Sequence, residues 1–154
     1  MSGVQGTNLE SIRTLLSTCS SWQTVCGVAT SALALDYIYE VETDTEPNAP
    51  YAVVMPGDTQ YARVQTGGGS VATGTVDLLL VLSPDGDTPA EKFLDFDDTV
   101  TDVLVEMENK CDNGYALITS MTIDKDTYGR FTDPERRGRG DNYAALVTLA
   151  FGVS

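Results

Sequence analysis

Histidine is absent from this chain of 154 residues. That excludes Ser-His-Asp and Cys-His catalysis and removes the commonest metal ligand and neutral-pH acid–base group. Cysteine is scarce: Cys19, Cys26 and Cys111 are odd in number and lack a CxxC spacing. They argue against a disulfide framework or a zinc site, and read as small buried apolar side chains. No apolar run reaches the roughly 18 residues of a membrane span; the stretch 28–38 is interrupted by Thr30, Ser31 and Asp36. The opening MSGVQGTNLESIR has neither the basic start nor the apolar centre of a secretory signal, so the expectation is a soluble protein made in a cytoplasm, with no membrane partner.

Positive charge is also in short supply. Nine Lys and Arg stand against 23 acids, a formal charge of −14. Such a field repels nucleic acid phosphates, so the chain is poorly suited to bind DNA and well suited to let DNA slide past. The apolar fraction of 42% and charged fraction of 21% are those of a globular protein, and the length suits one domain over residues 1–154.

The periodicity predicts an α+β fold, a mainly antiparallel sheet flanked on one face by two helices. Thr7 and Glu10 form a capping box before the helical stripe Leu9, Ile12, Leu15, Leu16 and Cys19. A second short helical turn is expected within 29–35, and strands over 37–42, 51–55 and 60–65, with Pro56-Gly57 separating the last two and Gly67-Gly68-Gly69 ending the third. Residues 71–82 predict a long central strand, because VDLLLVL is almost continuously apolar. Thr88-Pro89-Ala90-Glu91 is the clearest helix start, and Asn113-Gly114 a good stop; so long a helix predicts a break near Asp97-Asp98-Thr99. Leu117, Thr119, Met121 and Ile123 alternate as a strand, and YAALVTLAFGV, residues 143–153, reads as a strand buried on both faces.

Between these last strands, residues 124–142 form a long charged loop or hairpin arm carrying Arg130, Arg136, Arg137 and Arg139. Loops of this length are usually functional or disordered. The arginines suit bidentate pairing with the acidic helix of a neighbouring copy, whose candidate partners are Asp97, Asp98, Asp102 and Glu106. Other motifs carry less. Asp124, Asp126, Gly129 and Glu135 fit positions of a calcium loop, but Tyr128 occupies a ligand position, Pro134 precedes Glu135, and the flanks are strand-like. The triple glycine lacks the Lys-Ser/Thr of a phosphate loop, and Arg139-Gly140-Asp141 is a chance-level tripeptide. Paired carboxylates are expected by number alone in so acidic a chain. No nucleophile–base pair is visible, and the expectation is a non-enzyme without cofactor or metal.

Taken in order, the amphipathic first helix, PYAVVMPGD (50–58), TGTVDLLLVLS (73–83), the acidic helix and the closing stretch from Arg130 to Gly152 resemble a known family. They are similar to the tail terminator, or tail-completion (neck), proteins of long-tailed bacteriophages, the lambda-type minor tail protein group. The resemblance spans most of the chain and implies a structural, non-enzymatic virion subunit, assembled in the host bacterial cytoplasm. It implies a homohexameric ring that caps the tail tube, meets the head-closure or connector protein, and passes DNA through its lumen without specific binding. A ring of this kind needs heterologous contacts. Two alternatives stand beside it: another ring protein of the same assembly (head-closure component or tail-tube subunit), and a monomeric calcium-binding module using Asp124, Asp126 and Glu135.

Overall fold

The computed structural model describes residues 4–40, 48–63, 70–111, 118–130 and 142–151. The elements run α1 (Val4–Thr18), α2 (Ser20–Cys26), α3 (Ser31–Ala34), a 3-10 turn (Leu35–Tyr37), β1 (Ile38–Glu40), β2 (Tyr51–Arg63) and β3 (Ser70–Leu82). Then come α4 (Pro89–Lys110), β4 (Ile118–Ile123), β5 (Gly129–Arg130) and β6 (Tyr143–Phe151). The sheet order is β1-β2-β3-β6-β4, with β5 pairing the other end of the β6 edge that β4 holds. Every pairing is antiparallel except β1 with β2. The fold is the expected α+β arrangement, with short α2 and α3 added to the two long helices.

Alternation decides the layers. Val76, Leu78, Leu80 and Leu82 of β3 and Tyr143, Ala145, Val147, Leu149 and Phe151 of β6 lie in one buried cluster with Ile12, Leu15 and Leu16 of α1, Trp22 of α2, and Phe96, Val100, Val103 and Met107 of α4. Each fully buried Leu or Phe there contributes roughly 1.5–3 kcal/mol. The opposite register holds a smaller cluster of Tyr51, Val53, Val81 and Ala144, so the two central strands are apolar on both faces at one end. Towards the other end that face turns polar, where Thr148 donates to Asp77 at 3.0 Å.

Several expectations are corrected. Pro56-Gly57 does not end a strand: β2 continues through it with a register shift between Pro56 and Thr59. The shift accommodates a proline that has no N–H for the ladder. A Cβ on Gly57 would sit 2.6 Å from the Thr75 carbonyl oxygen, so only glycine fits that approach. Helix α1 begins at Val4, before Thr7, and α4 runs unbroken across Asp97-Asp98-Thr99. At 1.5 Å per residue the 22 residues of α4 span about 33 Å. It ends at Lys110, before the Asn113-Gly114 stop, which lies outside the described residues along with the triple glycine.

The segment 20–26, without a clear signature in sequence, is helical because its N-terminus is capped from elsewhere. The Glu106 carboxylate of α4 accepts from the Ser20 and Ser21 amides at 2.6 and 3.0 Å, and from both serine hydroxyls. Lys110 lies 3.4 Å from the same carboxylate and donates to the Thr18 carbonyl at 2.6 Å, closing the end of α1. Burial alone would raise the Glu106 carboxyl, but the Ser21 and Ser20 amides and hydroxyls outweigh it and hold it down to about 2. Burial likewise pushes the Cys19 and Cys26 thiols up to about 12, which suits packing and not reactivity.

Because its folded pKa lies below its unfolded value, Glu106 stabilises the fold above about pH 4.5, and the contribution disappears as pH falls towards 2. Glu106→Gln is expected to lose about 1–3 kcal/mol at neutral pH. Urea unfolding at stepwise lower pH checks this: the gap between parent and variant should close across that acid window.

Candidate assembly surface

Helix α4 carries seven acids against two lysines, and its geometry follows from its start. Thr88 Oγ1 accepts from the Glu91 amide at 3.2 Å, while Glu91 reaches back to the Asp87 amide at 2.8 Å. Pro89 occupies the first helical position, and Glu91 complements the positive end of the helix dipole. With Phe96, Val100, Val103 and Met107 facing the sheet, the helical period turns Leu94, Asp98, Thr101 and Val105 outwards in one stripe. Leu94 and Val105 are 62% and 50% exposed, so this acidic face also carries apolar contact area.

The four acids proposed as arginine partners separate into two kinds. Asp98 and Asp102 are exposed, with neither hydrogen bond nor ion pair among the described residues. Glu106 is committed to α2. Asp97 accepts a short hydrogen bond from the Tyr128 hydroxyl. Tyr128 in turn packs edge-on against Phe93 at 5.9 Å and tilted against Phe96 at 5.0 Å. Burial first, then the hydrogen bond to Asp97 and its charge, raise the Tyr128 phenol above its usual range. Asp97 therefore anchors the turn after β4 to α4. Sequence spacing cannot separate these roles, because all four acids share one helix and the partners come from distant segments.

Of the arginines, Arg130 places its backbone in β5 opposite Tyr143. Arg136, Arg137 and Arg139 lie outside the described residues, as does Glu135. The calcium-loop signature at 124–129 has a local explanation. Asp124 Oδ1 accepts from the Asp126 amide at 3.2 Å and Oδ2 from the Thr127 hydroxyl at 2.8 Å, an aspartate turn. Gly129 has φ of 133°, which an L side chain rarely adopts. Asp124 and Gly129 thus each have a place in this strand-to-strand turn.

This layered α+β fold is shared with a solved structure. A chain of the virion of a native gene transfer agent particle matches with a TM-score of 0.56 and 12% identity, covering 99% of this chain and 98% of that one. Neither a protein-family model nor a curated protein matches the sequence.

The division of acids has a measurable counterpart. Tyr128→Phe should lower stability by about 1–3 kcal/mol by leaving a partly buried carboxylate without its donor. Asp98→Asn and Asp102→Asn should each change it by no more than about 0.5 kcal/mol. Thermal unfolding of the three variants tests the assignment, which fails if the exposed pair proves as costly as Tyr128→Phe. In calorimetry, calcium at millimolar concentration should give no saturable heat, since the turn already uses both Asp124 oxygens.

Proposed function

We propose that this chain is a structural virion protein, a tail-terminator-like subunit that closes into a ring, caps the tail tube and offers a surface to the head connector. The observation that carries the reading is the end-to-end likeness of fold to a virion chain of matching length. The sequence resemblance supports it independently and supplies the specific place, at the head–tail junction, and the hexameric count. The surface chemistry is compatible: exposed Asp98 and Asp102 flank apolar Leu94 and Val105 on α4, and the chain's arginines are concentrated in 130–139. Arginine on one copy and carboxylate on the next make a head-to-tail contact, the kind that closes a ring. The net charge of −14 suits a bore through which DNA moves without adhering.

The same fold likeness is compatible with a tube subunit, which differs in what it builds. Electron microscopy of the purified protein with and without tail tubes separates them: a terminator adds one ring to a tube end, whereas a tube subunit polymerises. A protein that stays monomeric at high concentration and leaves tubes undecorated is neither. Replacing Arg136, Arg137 and Arg139 together with Glu should leave a folded subunit whose capping of tails is weakened at least tenfold and becomes more sensitive to salt. Capping at parental yield would remove the arginines from the interface.

A further inference from the structure

We propose that the outer edge of β4, together with the flank of α4 beside it, is a docking surface for an extended basic strand of a partner protein. This surface does not depend on how many copies of the chain assemble. β4 ends the sheet and pairs only with β6 among the described residues. The opposite end of the sheet is guarded. β1 is three residues long and carries Glu40, and its Ile38 carbonyl already accepts from Arg13 Nε at 3.0 Å. Short strands, charges and bulges are the usual protection of an edge. β4 has a register shift between Ile118 and Ser120, and beyond it no charge, proline or glycine. In a chain of net charge −14, Ser120 to Ile123 is therefore an uncharged template for one more strand.

The helical layer stops short of this strand. Ile123 pairs with Val147, which is fully buried in the core, yet Ile123 itself is 41% exposed. α4 lies over β5 and β6. Glu106 turns one side of α4 to α2, whereas Phe93 and Asp97 turn the other to Tyr128, in the turn that follows β4. Thr101 and Val105 continue the Asp97 side at spacings of four, and Leu94 lies three residues before it. Phe93, Leu94, Val105 and Ile123, four of the five large hydrophobic residues exposed among those described, thus gather on the β4 side of α4. Strand addition uses both parts: main-chain hydrogen bonds along the edge supply affinity, and contacts for alternate side chains supply specificity. The charge of the occupant follows from Asp98 and Glu108, which are exposed on α4 and have no ion-pair partner among the described residues. A strand with arginine or lysine among the residues that face α4 complements them. The β4 edge of a second copy does not, because it sets the same acids against each other.

The test uses the full-length isolated subunit and three short peptides. One alternates valine and threonine with an arginine at each end, and its twin ends in glutamates. The third is the arginine peptide N-methylated at every amide, which cannot join a ladder. In amide-resolved NMR, the arginine peptide should give saturable shifts centred on Ser120 to Ile123. The glutamate twin should bind at least tenfold more weakly, and the methylated peptide should give no response. Leu94→Lys and Val105→Lys change exposed positions, so the fold is retained. Each should weaken the arginine peptide at least tenfold. Equal binding of the arginine and glutamate peptides, binding of the methylated one, shifts centred on β1 and β2, or no response would each overturn the surface. Shifts at β4 that grow with protein concentration alone would give the edge to a second copy and overturn the basic partner.

Discussion

The Glu106 carboxylate joins α4 to α2 through Ser20, 86 residues away in the chain. A helix as short as α2 is marginal alone, since nucleation fixes several residues for a single hydrogen bond. Four donors converging on one carboxylate change that balance, and Lys110 ties the end of α1 into the same point. Once α2 is seated, Trp22 enters the core and Val25 packs against it. The end of α1 and the start of α2 therefore share one anchor.

How much of this was legible in the sequence depends on the range of the forces involved. The start of α4 is local chemistry among Thr88, Pro89 and Glu91, and it reads directly. The central position of β3 and β6 follows from apolar residues in both registers, which only a doubly covered strand tolerates. The bend in β2 is different. Pro56-Gly57 is ordinarily a stop, but hydrogen bonding by Asp58 to Thr75 and the close approach of Gly57 carry the strand through as a bulge. The parallel pairing of β1 was equally hidden, because nothing in Ile38, Tyr39 or Glu40 encodes a direction.

The surface was legible in sign and not in detail. An excess of acids on one helix is countable, and the outward stripe with Leu94, Asp98 and Val105 follows from helical period alone. What the count cannot give is which carboxylates are already spoken for. Asp97 and Glu106 look the same as their neighbours until Tyr128 and the two serines arrive from β5's approach and from α2. Asp85 and Asp95, ten residues apart, come together only because the connection after β3 folds back onto the first turns of α4. Asp124 shows the reverse case: a residue in a ligand-like spacing whose two carboxylate oxygens are already used within a turn.

Trp22 is the chain's single tryptophan; it is fully buried, and its indole nitrogen has no hydrogen-bond partner among the described residues. An indole so deeply buried emits at short wavelength, and water reaching it would move the emission to the red. The molecule thus carries its own optical gauge of whether the small helix is seated. Seven tyrosines, several of them near the sheet and α4, offer a second and spectrally separate window on the rest of the fold.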